Sequence, residues 1–251
     1  MSDFSYQLYS SRKFPPILAT LKMLADAGYT QVEGFGGLFP DAAATADFAA
    51  ALKANGLTMP TTHLGLDMVE SDPEGVIALA KACGVKAVFV PHLAADLRPR
   101  DGASWEAFGR RLAAAGAPLK AAGLAFGWHN HDFEFRALDD GSLPIEELLD
   151  GGKDLAVELD LAWIEVAGQD PVAWIRHFAD RLVAVHVKDI APKGECTDED
   201  GWADVGHGTM DWPAINAALA KTGVKYLVME HDNPSDDRRF ATRSIAAANT
   251  F

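Results

Sequence analysis

The sequence predicts an α/β protein built as one (β/α)8 barrel, and three observations carry that prediction. Short helical stretches repeatedly end in Gly and give way at once to a β-rich run. Eight such units fit within the 251 residues, and a barrel of this kind needs roughly 250. Seven of the eight expected strands deliver a His, Asp or Glu at the same end. That end becomes the rim where such barrels place their active sites.

The first strand is expected at "FSYQLY", near residues 4–9. The others are expected near 29–33, 57–63, 86–91, 124–131, 154–160, 182–188 and 225–230. Five junctions put Gly between a helix and the next strand: Gly28, Gly56, Gly84, Gly123 and Gly223. Gly just past a helix supplies the left-handed residue that closes its last turn. The runs that follow are rich in Val, Phe, Tyr, Thr and Leu, as strands buried on both faces should be. Between Gly123 and Gly223, "IEELLD", "DPVAWIRHFAD" and "DWPAINAALAKTG" read as helices, the last opened by Asp211. "DDRRFATRSIAAAN" closes the chain as a helix. Strand–helix alternation implies a parallel sheet with helical cover. An open doubly wound sheet is the alternative, but "GFGG" after the second strand lacks the phosphate-binding spacing. Residues 1–251 are therefore expected as a single domain.

Composition narrows the function classes. Hydrophobic residues make up 49% and charged residues 23%, an ordinary globular balance. The net charge of −14 argues against a surface built to hold phosphate backbones. No run approaches the roughly 20 apolar residues of a membrane span, and "MSDFSYQLYSSRKFPP" lacks a secretory apolar core. Cys83 and Cys196 suggest free thiols rather than a disulfide framework or zinc knuckle. The expectation is a cytoplasmic protein with a small-molecule partner and neither nucleic-acid nor membrane partners. Homo-oligomerisation is left open.

The strand ends can be read as a list: Glu33, His63, His92, then His129 and His131, then Glu158 and Asp160, then His186, Lys188 and Asp189, then Glu230 followed by His231. A lone strand-end His is more often a hydrogen-bonded structural residue, and a lone Glu more often solvated. That bland reading becomes costly when it must hold on every strand. Carboxylates converging without a cation repel one another and raise their own pKa values. The strongest subset is Asp160, His186 and Glu230, on three consecutive strands, whose ends lie about 5 Å apart and can meet at one ion. Mixed imidazole and carboxylate donors suit Mn, Co, Zn, Fe or Mg, and the sequence does not choose among them.

At these residues the chain resembles the xylose-isomerase-like sugar phosphate isomerases and epimerases. The resemblance runs from about Glu33 to the C-terminus. It is carried by "GWHNHDFEF" at 127–135, "VELDLAWIEVAGQDP" at 157–171, "RLVAVHVKD" at 181–189, "VGHGTMDWPAI" at 205–215 and "VMEHD" at 228–232. It implies a barrel with one divalent metal at the rim, held by Glu, Asp, His and Glu from the fifth to eighth strands. Asp160, His186 and Glu230 match the last three. The fifth strand departs from the pattern, with "GWHNH" placing His129 where many members have Glu. His129, Glu158 and Glu134, in that order, are the candidates for the fourth ligand. Trp163 stands where related endonucleases and ketose epimerases carry a His, which counts against an apurinic-site endonuclease.

The activity implied is proton abstraction next to a metal-bound carbonyl in a sugar or sugar phosphate. Return of the proton elsewhere gives isomerisation or epimerisation. Loss of a β-substituent gives a lyase or dehydratase acting on keto-sugars, 3-keto-glycosides or inososes. His131, Glu158 and Glu230 are the expected catalytic groups, with His129 also placed to act as a base. Glu33, His63, His92, Lys188 and Trp163 are expected at the substrate. Lys188 either meets a substrate oxyanion or pairs with Asp189. Phe35, Trp128, Trp163 and Trp202 either wall the pocket or pack the barrel.

Overall fold

The computed structural model describes residues 3–251. Its strands are β1 (Phe4–Gln7), β2 (Gln31–Phe35), β3 (Thr58–His63), β4 (Ala87–Val90), β5 (Ala125–His129), β6 (Ala156–Asp160) and β7 (Leu182–Val187), then a short ribbon of β8 (Asp189–Ile190) and β9 (Trp202–Ala203), and finally β10 (Tyr226–Met229). Eight of them close a barrel in the order β1-β10-β7-β6-β5-β4-β3-β2. Every pairing in it is parallel, including the closing one, in which Ser5 meets Val228. The expected (β/α)8 barrel is thus what forms.

Helices α1 (Ile17–Ala27), α2 (Ala42–Ala54), α3 (Leu66–Ser71), α4 (Pro73–Cys83), α5 (Gly102–Ala121), α6 (Pro144–Gly151), α7 (Leu161–Val166), α8 (Pro171–His177), α9 (Trp212–Leu219) and α10 (Asp237–Ala248) cover the outside. Their starts follow from local chemistry. Asp41, Asp72, Asp101, Asp211 and Asp236 each accept a backbone N–H of the first turn, satisfying donors that the helix itself leaves free. Gly28, Gly56, Gly84 and Gly123 have positive φ at the helix-to-strand junctions. Gly223 does not, because α9 ends at Leu219 and the chain reaches β10 through a further turn. Among the described residues no helix is long and apolar enough to cross a membrane.

Side chains on a strand alternate between its two faces. Outward residues pack under the helices in one continuous core that includes Val88, Val90, Leu159 and Val185. Inward residues form layers. Ala87, Phe89 and Ala184 make an apolar floor. Two residues further along the strands the filling turns polar, with Glu158 and His186 fully buried above that floor. Another two residues bring Asp160 and Lys188, also buried, to the rim. The ribbon β8–β9 sits in the connection after β7 and was not foreseen, since its strands have two residues each. Asp189 holds that connection together, accepting hydrogen bonds from the backbone of Gly206 and Met210 and from Trp212 Nε1.

Candidate metal centre

Asp160 ends β6, His186 is the last residue but one of β7 and Glu230 directly follows β10, and the structure brings all three together. One ligand atom from each lies within 4.8 Å of the others. His186 Nδ1 is 3.8 Å from Asp160 Oδ2 and 3.9 Å from Glu230 Oε2. Asp160 Oδ2 and His186 Nδ1 are buried with no hydrogen-bond partner, while Glu230 Oε2 has the Lys188 ammonium at 2.8 Å. The other Asp160 oxygen is already used: it accepts Trp163 N–H at 3.0 Å and caps α7. An acceptor left bare in the interior costs roughly 1–3 kcal/mol. The three atoms face one another across the spacing a cation needs, and one nitrogen with two carboxylate oxygens is a donor set for a divalent ion.

The opposite nitrogen of His186 is spoken for. Its Nε2 is 2.8 Å from Glu33 Oε1, which also accepts from Gln7 Nε2 at 2.7 Å. In the neutral ring, donation from Nε2–H leaves Nδ1 as the lone pair toward Asp160 and Glu230, the arrangement in which a carboxylate sets the tautomer of a ligating histidine. Burial works against charging this imidazole, but Glu158, Glu230 and Glu33 more than offset it and hold its pKa well above the ordinary value. Without an ion, His186 therefore keeps a proton. Burial likewise opposes charge on Glu230, yet Lys188 and His186 hold its carboxyl well below the usual range.

His129 does not join the trio. It belongs to a deeper cluster with His63, Glu158 and His186. There Glu158 Oε2 has His63 Nε2 at 2.5 Å, His129 Nδ1 at 3.1 Å and His186 Nε2 at 3.5 Å. Burial and the neighbouring Glu33 push the Glu158 carboxyl up to about 7. Glu134 is engaged elsewhere: one oxygen accepts Trp128 Nε1–H and the other the His131 backbone N–H, both at 2.9 Å. It ties down the loop after β5.

Lys188 points inward, as alternation after His186 requires, and is fully buried. Its ammonium pairs with Glu230 at 2.8 Å and with Asp232, and lies 3.6 Å from Asp160. It also sits over the rings of Trp202 and Trp163, at 4.0 and 4.9 Å. Its partner is Asp232, not Asp189, because residues 188 and 189 face opposite sides of the chain.

Above the centre opens a cavity of about 450 Å³, lined in part by Gln7, His63, His129, His186 and Glu230. His131 lines it too, its ring centroid 5.3 Å from that of the exposed His92 at the mouth and 5.5 Å from that of Trp163. Burial and the nearby Lys188 push His131 down to about 3, so its imidazole is neutral. Phe35 lines the cavity, while Trp128 packs outward against Phe108. Trp163 and Trp202 line an adjoining recess that shares Asp232 with the cavity. Sequence reading passed over Gln7, Tyr9 and Asp232, all of which line the cavity. Asp232 was findable, lying two residues beyond Glu230 and so on the same face.

The model of a family described as xylose isomerase-like TIM barrel matches residues 21–248. The rhizopine catabolism protein MocC of Rhizobium meliloti is 30% identical over 148 residues, which are 53% of this chain and 45% of that protein. The chain thus matches less than half the length of that relative. A sugar phosphate isomerase/epimerase from Parabacteroides distasonis superposes with a TM-score of 0.81 at 23% identity, over 98% of this chain and 93% of that one. The IOLI protein, whose crystal structure holds a zinc atom, superposes with a TM-score of 0.76 at 15% identity, over 99% and 95% of the two chains. At such identities these superpositions speak for the fold.

Proposed function

The chain belongs to the xylose isomerase-like TIM barrel family, and from that membership we propose that it is a divalent-metal-dependent sugar or sugar phosphate isomerase or epimerase that moves a proton next to a carbonyl. The observation that carries this reading is the meeting of three buried donor atoms, Asp160 Oδ2, His186 Nδ1 and Glu230 Oε2, the first two of them without a hydrogen-bond partner. These would hold the ion, and when bound it supplies Lewis-acid polarisation of a carbonyl and an adjacent hydroxyl.

The chain's own groups do the rest. His131 lines the cavity with a neutral ring, and its Nδ1 has no partner. It is the group we assign to take the proton and return it on the ground of its position; burial and Lys188 leave it unprotonated but a weak base in the ion-free site. Lys188 is set to steady negative charge that develops on a substrate oxygen, with Trp163 and Trp202 shielding it from water. Gln7 and His63 offer hydrogen bonds to substrate hydroxyls from the cavity wall. Glu158 lies beneath the imidazoles and reaches the cavity only through them. The active partner is a small carbohydrate rather than a nucleic acid, in keeping with the net charge of −14.

A second reading is a lyase or dehydratase on a keto-sugar. It is favoured by the fifth strand, which presents His129 where an isomerase pair would need a second Glu. A relative named for rhizopine catabolism also leans toward degradation.

The test is turnover in D2O with Mn, Co or Mg, screening ketoses, aldoses, 3-keto-glycosides and inososes. We expect metal-dependent deuterium uptake at the carbon next to the carbonyl, or a substrate deuterium isotope effect, and loss of activity in His131→Ala. A product lacking a β-substituent would select the second reading. Turnover with neither exchange nor isotope effect would overturn both and point to hydrolysis, which phosphate release from abasic DNA would then examine.

A further inference from the structure

We propose that the recess beside the cavity is a substrate subsite for an uncharged, ring-bearing substituent, so that the preferred substrate is a sugar carrying an apolar ring, such as an aryl glycoside, and not a phosphate ester. The proposal rests on the carbohydrate reading above and names the substrate class of that same site.

Shape is the first argument. The recess has a volume of about 660 Å³, and Trp163, Val166, Ile190, Pro192 and Trp202 are among the residues that line it. It adjoins the cavity at Asp232, which lines both. Trp163 links the two. Its ring centroid lies 5.5 Å from that of His131 in the cavity and 4.7 Å from that of Trp202 in the recess. Small-molecule sites commonly measure roughly 300–1,000 Å³, so cavity and recess are each large enough for one ring. Val166 is left 39% exposed on this wall. Apolar surface left open beside a polar site marks a place where a ligand lies.

Charge is the second argument. Among the described residues, no Lys or Arg lines the cavity, whereas Glu230 and Asp232 do. The recess has Lys193 against Glu195, Asp200 and Asp232. Lys188 is no free counter-charge, being held by Glu230 and Asp232. A phosphate would therefore meet more carboxylates than ammonium groups on either side. A cationic group on the indoles would lie beside the Lys188 ammonium, which is 4.0 Å from the Trp202 ring. An uncharged ring laid there buries apolar area without either cost.

The wall is also fixed in advance. Cys196 and Asp200 have positive φ, 46° and 59°, which residues other than Gly keep only where their surroundings hold them. Ala191 N–H donates to Gly201 O at 2.9 Å. Glu199 accepts the Ser235 N–H at 2.7 Å and Arg239 Nη2–H at 2.9 Å. A ligand need not bear the cost of ordering such a wall.

Calorimetry with matched probes tests the subsite. Methyl and phenyl β-D-glucopyranoside, methyl and phenyl β-D-galactopyranoside, and glucose 6-phosphate are titrated into the purified chain with Mn present. Of the phenyl glycosides that bind, each should bind about tenfold or more tighter than its methyl partner, and glucose 6-phosphate should bind more weakly than phenyl glucoside. Val166→Arg, a surface change at the last residue of α7, should bring the phenyl-to-methyl ratio near one. Equal binding of phenyl and methyl partners, tighter binding of glucose 6-phosphate, or a ratio that Val166→Arg leaves unchanged overturns the subsite and leaves the carbohydrate reading standing. Binding of none of these probes also overturns the subsite, and the D2O screen then decides the carbohydrate reading alone. A phenyl preference that Val166→Arg removes, in a chain that exchanges no proton with any sugar, supports the subsite and overturns the reaction.

Discussion

A histidine serves a metal only through a bare nitrogen, and at His186 Glu33 decides which nitrogen that is. Glu33→Ala should therefore weaken metal binding by about 10–100-fold, the usual cost of losing a partner that orients a ligand. His186→Ala should abolish binding, and competition titration would measure both. The proton on His186 sets a second expectation. Its pKa is raised by Glu158, Glu230 and Glu33, so at neutral pH an incoming ion must displace a proton. Apparent affinity should then fall as the pH falls, by about tenfold per unit for each proton displaced. Calorimetry at pH 6 to 8, in buffers of different ionisation enthalpy, would count those protons. Asp160, His186 and Glu230 were legible in the sequence because each lies at or beside the end of a strand. The part played by Glu33 was not, because it depends on which side of an imidazole a carboxylate from the far wall of the barrel reaches.

Strands place these residues by alternation, and the spacing of two explains most of the site. Residues 184, 186 and 188 all face inward, and so do 156, 158 and 160; floor, deeper cluster and rim follow in that order. The same rule could have found Asp232. It could not have foreseen the β8–β9 ribbon, whose four residues carry no periodicity and whose shape depends on Asp189 binding distant backbone amides. It does tell that Trp128, next to inward-facing His129, faces the helices. Between β5 and β6 the approach is close enough to test. A Cβ on Gly127 would meet Ala156 O at 1.8 Å, a backbone atom that cannot rotate away. Gly127→Ala should cost about 1–3 kcal/mol, as overpacking does, readable as a lower denaturation midpoint. It should also disturb the contact of His129 with Glu158, because the two are register partners across that pair of strands.

At the level of the whole molecule, the proposed ion, held by residues of β6 and β7 and the residue after β10, would tie together three neighbouring strands of the barrel. Ligand present at about 100 times its Kd stabilises by roughly 2.7 kcal/mol. For a chain of this size each kcal/mol moves the midpoint by about 2–4 °C. Saturating metal should thus raise Tm by about 5–10 °C, and a chelator should reverse the shift; an unmoved midpoint on calorimetry would count against a site that joins these strands. The barrel itself should survive chelation, unlike small domains whose folding is paid for by their metal. The reason is Lys188, whose ammonium already lies among Asp160, Glu230 and Asp232. A newly synthesised chain need not wait for an ion before closing its sheet. If activity depends on the proposed ion, manufacture and activation become separate events, and a cell can hold the finished polypeptide in reserve and let activity follow the supply of the metal.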